Sequence, residues 1–435
     1  CGFCDHKWFF KKKEIINEHN KTTKSSLDFD FEYLEKKLKK SHIDIHEILD
    51  QVKKFQVAVP TWGVGTGGTR FARFPGIGEP QNIYDKIEYC AVINDLIGFT
   101  NKVSPHFPWD NVDDFSELKE FADGYGIGFD VVNSNTFQDP ADGPETFKYG
   151  SLTNSSSAIR DRAIEVNIQS IESGKALGSK GLTVWIGDGG NFPGQMSFSK
   201  SLERYIDSMK KIYATLPNDW TVLLEHKPYE PAFYSTVISD WGTSYICAKE
   251  LGDQAMCLVD LGHHLPNTNI EMVVSRLIDV NKLGGFHFND SKFGDDDLDA
   301  GSINPYELFL IFNELTAASQ NNKIKNLAYM IDQSHNVTDP IESLISSANE
   351  IVNSYTKSLL VDYSLLEKSQ DSNDAIQSMQ ILKTAYNTDV NPIVAMARFE
   401  NGNSIDPINT YRTLDYKNDK SLKRKNKSGS SSGIV

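Results

Sequence analysis

Beyond residue 55, short apolar or β-branched runs alternate with longer runs whose apolar residues recur at helical spacing. Examples of the longer runs are SAIRDRAIEVNIQSIESGKALG and IEMVVSRLIDVNKLG, each closed by a glycine that can end a helix. The short runs predict eight strands, at residues 56–62, 102–107, 126–135, 181–188, 220–227, 255–264, 283–290 and 326–333.

Eight strands that alternate with helices predict an α/β fold, a (β/α)8 TIM barrel with additional N- and C-terminal helices. Parallel strands that are covered on both faces should be near-continuous apolar runs, as these are. The alternative is a doubly wound sheet, which usually has fewer strands and a glycine-rich first turn that binds phosphate. The pattern therefore favours the barrel.

The two ends of the chain differ from its middle in composition. Residues 1–55 are polar and lysine-rich with helical patterns, and they predict an N-terminal helical extension. The barrel domain is predicted over residues 56–338 and a C-terminal helical extension over residues 339–417. Residues 418–435 are basic and then rich in serine and glycine, which is typical of a disordered tail.

A glycine-rich segment, WGVGTGGTRFARFPGIGEP, follows the first predicted strand. It lacks the GK[ST] of a phosphate-binding P-loop, and it continues through Arg70, Phe71, Arg73 and Phe74 before any helical pattern begins. We therefore expect a mobile lid over the mouth of the barrel, with a phosphate cradle as the alternative.

Charge and cysteine usage limit the partners and the compartment. The net charge of −15 argues against nucleic acid, which needs a basic surface, and no apolar run is long enough to span a bilayer. Cys90, Cys247 and Cys257 lie in apolar segments, as buried thiols of a cytoplasmic protein do. Cys1 and Cys4 lack the second half of a zinc pattern, and a processed or lipid-modified end is an open alternative.

Acids and histidines concentrate at the carboxyl ends of the later strands, where barrels of this type place their active sites. Taken singly, each is compatible with a hydrogen-bonded structural residue. Several carboxylates converging in one cleft would repel one another unless cations compensate them. The set can supply two divalent ions with one bridging carboxylate, and its members are Glu225, Asp260, His263, His287, Asp295, Asp297 and Asp332.

The remaining strand ends carry aromatic and hydrogen-bonding side chains. Aromatic walls suit a polyhydroxylated ligand, because its C–H faces stack on rings while its hydroxyl groups need partners. For Trp62 and Trp185 taken singly, packing in the core is the stronger alternative, but their shared position at the mouth favours a ligand. The candidates at the strand ends are Trp62, His106, Trp109, Asn133, Asn135, Trp185, Asp188, Lys227, Asn289 and Asp290.

Four runs carry a resemblance to a known family: LLEHKPYEPAFY, LVDLGHHLPNTNIE, GGFHFNDSKFGDDDLDAGSINPYELF and YMIDQSHN. They resemble L-rhamnose isomerase of the broad-specificity aldose–ketose type, a relative of xylose isomerase. The resemblance extends from about Gln56 to about Lys417, with no departure at any ligand position. It implies a homotetramer that acts on aldoses and ketoses with Mn²⁺, Co²⁺ or Zn²⁺, two ions per subunit.

The resemblance also implies individual roles. Glu225 would bridge two metal ions, with Asp260, His287 and Asp332 completing the first site and His263, Asp295 and Asp297 the second. The implied catalytic residues are Lys227, near the O1 atom of the sugar, together with Asp332 and His106. The implied substrate-contacting residues are Trp62, Phe71, His106, Trp109, Trp185 and Lys227, where Phe71 is a lid aromatic that enters a neighbouring subunit's site.

Two other functions remain open at this level. A metal-dependent phosphodiesterase such as an abasic-site endonuclease can use the same barrel, but it would need a basic groove. A non-catalytic sugar-binding protein would need the aromatic wall but no paired metal site. For the isomerase, we expect a direct 1,2-hydride transfer, with an enediol route as the alternative, since nearly every carboxylate at the strand ends is assigned to a metal.

Overall fold

The computed structural model describes residues 2–64, 78–140, 143–230, 233–324, 326–333 and 337–424, with side chains from residue 12 onward except at position 423. The predicted lid aromatic Phe71 lies outside the described residues, as do Cys1 and the side chain of Cys4. Within the described ranges, no helix is long and apolar enough to cross a membrane.

Eight parallel strands form a barrel in the described part of the chain, which confirms the predicted fold. The second and third strands are each split into two segments, the second at Pro105, which has no N–H to donate to a neighbouring strand. The strands are Val59–Pro60, Lys102–Ser104 with His106–Phe107, Gly128–Phe129 with Val132–Ser134, Gly181–Val184, Thr221–Glu225, Ala255–Asp260, Leu283–Phe288 and Ala328–Ile331.

The barrel closes between its first and eighth strands. Successive strands pair in parallel from the first to the eighth. Ala58 then receives a hydrogen bond from the Ile331 N–H (3.0 Å) and donates its own N–H to the Tyr329 carbonyl (2.8 Å). The first strand is shorter than the predicted 56–62, because its last residues turn into the 3₁₀ helix Thr61–Gly63.

Helices cover the outside of the barrel, as a parallel sheet requires. Asn82 caps the first of them by accepting from the Asp85 N–H, and Gly98 ends it with φ +72°, a left-handed conformation that suits glycine. The barrel helices are Ile83–Ile97, Phe115–Gly124, Ser157–Leu177, Phe198–Tyr213, Trp241–Leu251, Ile270–Asp279, Pro305–Gln320 and Pro340–Ser358.

Further helices extend the barrel at both ends of the chain. The N-terminal ones are Gly2–Lys39 and Ile45–Val52. The C-terminal ones are Tyr363–Asp371, Ala375–Tyr386, Asn391–Glu400, Pro407–Leu414 and Tyr416–Lys423. The last helix continues past residue 418, where the disordered tail was predicted to begin, because Lys420 and Arg424 both form ion pairs with Glu88. Residues 425–435 lie outside the described part.

The interior of the barrel is apolar except at its carboxyl-end mouth. Every residue of Leu283–Phe288 is buried, and Cys90, Cys247 and Cys257 are free and buried, as predicted. Burial raises the pKa of the Cys247 thiol to about 12 and that of Cys257 to about 11, so both stay protonated at neutral pH.

Candidate active site

A cavity of about 500 Å³ opens at the carboxyl ends of the strands. Acids and histidines lie on one side of it and aromatic rings on the other. The lining residues are Trp62, His106, Trp109, Asn133, Ser134, Phe137, Thr183, Trp185, Gly187, Glu225, Lys227, Glu230, Phe233, His263, His287, Asp295, Asp297 and Asp332.

Four side chains from the ends of the fifth to eighth strands form a first cluster. Glu225, Asp260, His287 and Asp332 each offer one ligand atom, and these atoms all lie within 4.8 Å of one another. The Nδ1 atom of His287 is 3.1 Å from Glu225 Oε1, 3.3 Å from Asp332 Oδ2 and 3.7 Å from Asp260 Oδ2. Three carboxylates and one imidazole are suitable ligands for a divalent transition metal.

The electrostatics of this cluster favour a cation. Asp260 is fully buried, and its Oδ2 has no hydrogen-bond partner among the described residues. Burial opposes the protonation of His287, but the carboxylates of Glu225, Asp260 and Asp332 outweigh it and hold its pKa well above the usual range. The cluster therefore attracts positive charge, which a divalent ion supplies better than a proton does. The residues present fit a metal ion.

A second group lies beside the first and shares Glu225 with it. The two ring nitrogens of His263 are 3.1 Å from Glu225 Oε1 and 3.0 Å from Asp295 Oδ1. Asp297 lines the same cavity. Asp295 and Asp297 have φ angles of +52° and +49°, a conformation that most residues with a side chain avoid. Aspartate adopts this conformation more readily than most residues do, because its short polar side chain can form local hydrogen bonds.

The opposite wall consists of aromatic rings. His106 stacks on Trp109 with ring centroids 4.3 Å apart, and it contacts Trp62 edge-on at 5.3 Å. Phe137 packs edge-on against Trp185 at 4.7 Å. Burial lowers the pKa of His106 to about 4, so its ring is neutral at physiological pH. The wall presents apolar faces that suit the C–H faces of a sugar.

Lys227 connects the two sides of the cavity. Its ammonium group forms ion pairs with Glu230 and Asp295 and lies 5.1 Å from the ring centroid of Trp185. The side chain is buried, with 5% of its surface exposed. A buried cation held by two acids beside the aromatic wall can donate to an oxygen atom of a bound ligand.

Three polar residues were predicted at the mouth because they end predicted strands, but the structure gives them other roles. Asn135 caps the backbone of Phe137. Asp188 accepts hydrogen bonds from Ser151 and Thr153, and Asp290 accepts from the amides of Ile303 and Asn304. Asn289 donates to Asp260 Oδ1 at 3.0 Å and thus orients a residue of the first cluster.

Some lining residues were not among the predicted site residues, notably Phe137, Glu230 and Phe233. They follow the third and fifth strands by a few residues, in loops rather than at the strand ends. The only sequence signal for Phe137 and Glu230 is their position, within five residues of the end of a strand. Of the predicted substrate contacts, Phe71 falls outside the described residues, and the others line the cavity.

The chain is similar over almost its whole length to two bacterial proteins. One is named probable sugar isomerase, from Mesorhizobium japonicum, and it is 57% identical over 423 residues, which cover 97% of this chain and 98% of that protein. The other, a probable sugar isomerase from Rhizobium meliloti, is 54% identical over 422 residues with the same coverage. No family model matches the chain.

Solved structures of sugar epimerases share the fold. The structure of an L-ribulose 3-epimerase superposes with a TM-score of 0.52 at 14% identity, covering 70% of this chain and 95% of that chain. A D-allulose 3-epimerase from Methylomonas sp. gives a TM-score of 0.50 at 13% identity, covering 69% and 98%. At this level of identity the similarity shows the TIM-barrel fold alone.

Proposed function

Because the chain belongs to the same family as these two probable sugar isomerases, we propose that it interconverts an aldose and its ketose at a metal centre. One observation carries the proposal. Glu225, His287 and Asp332 line a cavity whose opposite wall is aromatic, and their ligand atoms lie within 4.8 Å of one another and of a carboxylate oxygen of the buried Asp260. A phosphodiesterase would instead need a basic mouth, whereas this chain carries a net charge of −15.

We assign two ions to each subunit. In this assignment Glu225 belongs to both groups, because its Oε1 atom lies 3.1 Å from His287 Nδ1 and 3.1 Å from His263 Nδ1. Asp295 and Asp297 supply the remaining acids of the second group. When bound, divalent ions would polarise the C1 and C2 oxygens of an open-chain sugar. Mn²⁺, Co²⁺ and Zn²⁺ all suit these ligands.

The protein's own side chains would orient the sugar. The rings of Trp62, His106 and Trp109 offer stacking surfaces for its C–H faces. The Lys227 ammonium, held by Glu230 and Asp295, would donate to O1. Trp185 lies under that ammonium and keeps water from one side of it.

More specifically, we propose that the protein is an L-rhamnose isomerase of broad specificity. The open-chain sugar would be held by its first carbons, so its distal end would be recognised loosely, and L-lyxose, L-mannose, D-allose and D-allulose join L-rhamnose as candidate substrates. In the homotetramer that we propose, Phe71 of one subunit would complete a neighbouring subunit's site. Analytical ultracentrifugation tests the assembly, and Phe71→Ala should raise KM without destabilising the fold.

The test is an aldose panel on protein that has been stripped with EDTA and reloaded with one metal at a time. Metal-free protein should be inactive, and Mn²⁺ or Co²⁺ should restore ketose formation. His287→Asn should abolish it, whereas His46→Asn, a matched change at an exposed histidine, should not. Full turnover by protein shown to be metal-free would contradict the proposal. Conversion of a ketose to its C3 epimer, with no aldose formed, would also contradict the proposal.

A further inference from the structure

A buried ion pair lies behind the aromatic wall. The Nζ atom of Lys86, on the helix Ile83–Ile97, is 2.7 Å from Asp110 Oδ1, and the two side chains are 8% and 0% exposed. Neither residue lines the cavity. Desolvation of two charges offsets most of their attraction, so a buried pair is weak evidence for a role in stability. Its other contacts indicate a different role.

The second carboxylate oxygen of Asp110 joins two strand ends. Oδ2 accepts a hydrogen bond from the backbone N–H of His106 at 2.8 Å and another from the hydroxyl of Thr61. Thr61 begins the turn after the first strand, and His106 lies in the second strand. One carboxylate therefore fixes the end of the first strand against the turn that follows the second.

The residues next to these contacts form the aromatic wall. Trp62 follows Thr61, and Trp109 precedes Asp110 in the chain. Trp62 also donates its indole N–H to Asp332 at 2.9 Å. Asp332 belongs to the first cluster, called the metal-binding cluster from here on. The position of the wall relative to that cluster thus depends on backbone that Asp110 holds.

We propose that Asp110, held by Lys86, is a positioning residue that sets the spacing between the aromatic wall and the metal-binding cluster, and with it the affinity for sugar. This inference rests on the proposed function. Dispersion contacts decline steeply with distance, and a gap of about 0.5–1 Å already removes a quarter to a half of their energy. A small displacement of Trp62 and Trp109 would therefore weaken stacking of the sugar without touching the reacting carbons.

Two double variants separate positioning from plain stability, since each removes both charges and leaves no lone buried ion. Lys86→Gln with Asp110→Asn keeps an oxygen that can accept from His106 and Thr61. Lys86→Met with Asp110→Leu has the same net charge but no acceptor. We expect KM to rise about tenfold in the Met/Leu variant, kcat to change less than about threefold, and the Gln/Asn variant to stay near wild type.

A readout without sugar keeps this inference separate from the proposed function. Protein labelled with 5-fluorotryptophan should show displaced ¹⁹F resonances for Trp62 and Trp109 in the Met/Leu variant. Trp220 and Trp241, which do not line the cavity, serve as internal controls and should not move. If wild-type protein converts no sugar, the proposed function fails while this measurement still decides the role of Asp110.

Thr61→Val covers the case in which the Met/Leu variant does not fold. It keeps the ion pair and removes one donor to Asp110, so the Trp62 resonance should move and KM should rise by a smaller factor. Wild-type KM and unmoved Trp62 and Trp109 resonances in a folded Met/Leu variant would overturn the proposal. So would a Gln/Asn variant whose KM rises as much as that of the Met/Leu variant.

Discussion

Trp62 donates its indole N–H to Asp332 Oδ1 at 2.9 Å, and this hydrogen bond joins the aromatic wall to the first cluster, the proposed metal site. Trp62 follows the first strand and Asp332 follows the eighth, the two strands between which the barrel closes. Asp332 is the least buried member of the cluster, with 20% of its side chain exposed. A donor from the wall therefore fixes the carboxylate that is least constrained by burial.

This hydrogen bond gives a first prediction. Trp62→Phe keeps a ring for stacking but loses the donor to Asp332. Groups that orient metal ligands typically contribute 10–100-fold to metal affinity, so we expect the affinity of the first site to fall by about tenfold. Titration of stripped protein with Co²⁺, followed by absorbance, measures it. Trp220→Phe, a change in the buried core, is the control. Equal Co²⁺ affinity in the two variants would show that the Trp62–Asp332 hydrogen bond does not support metal binding.

The shared position of Glu225 predicts how substitutions should affect the two proposed metal sites. Glu225→Gln should weaken the binding of both ions, because its carboxylate faces His287 and His263 alike. Asp297→Asn should weaken mainly the second ion and lower kcat more than it changes KM. Elemental analysis of each variant after dialysis gives the number of ions retained. Loss of both ions in Asp297→Asn, with Glu225→Gln near wild type, would show that the bridging role is misassigned.

The ion pairs of Lys227 give a third prediction. Glu230→Gln keeps the shape of the side chain but removes its charge, which leaves the ammonium less firmly oriented toward the cavity. We expect kcat to fall about tenfold with the metal content unchanged. Asp219→Asn breaks an exposed ion pair with Lys180 and should have no effect on kcat. An unchanged kcat in Glu230→Gln would show that Glu230 has no role in catalysis.

His106 predicts a dependence of stability on pH. Burial lowers its pKa from 6.5 to about 4, so between these values the unfolded chain binds a proton that the folded protein does not. Stability therefore rises with pH across this window, and the contribution of His106, up to about 3 kcal/mol, is lost as pH falls from 6.5 toward 4.

Urea unfolding of metal-free protein at several pH values between 4 and 7 measures this contribution. His106→Gln should make the rise of stability with pH shallower, because glutamine does not titrate, while His226 and His264, whose pKa values burial also lowers, continue to contribute. His46→Gln, a change at an exposed histidine, should leave the rise as it is. A His106→Gln protein with the wild-type pH dependence would show that folding does not lower the pKa of His106.

The route of the hydrogen atom is tested by turnover in D₂O. The carboxylates that line the cavity are already engaged, because Glu225, Asp295, Asp297 and Asp332 are assigned to metal ions and Glu230 pairs with Lys227. His106 also lines the cavity, but a pKa of about 4 makes its imidazole a weak base. We therefore predict a direct 1,2-hydride transfer, after which the product keeps the substrate's own hydrogen. Mass spectrometry of the product decides the matter, and deuterium entering C1 on most turnovers would indicate an enediol route instead.

The barrel itself could be predicted from the sequence, because burial on both faces makes each parallel strand an apolar run whatever the details of packing. Glu225, Asp260 and Asp332 stand out for the same reason, since each ends or directly follows such a run. That they meet at one mouth follows from the parallel arrangement of the strands. The lengths of the strands were less predictable. The first strand, for example, was predicted to reach residue 62, but Thr61–Gly63 forms a 3₁₀ helix.

Only the tertiary structure decided which polar residues face the cavity. Asp188 and Asp290 end two of the predicted strands, but hydroxyl and amide donors from other segments form hydrogen bonds with them, and neither lines the cavity. The pairing of Lys86 with Asp110 is likewise absent from any local pattern, because the two residues lie 24 positions apart on a helix and a turn. The sequence determined the strands and the acids at their ends, since both depend on local patterns of burial. The structure decided their partners, since hydrogen bonds form between residues that only folding brings together.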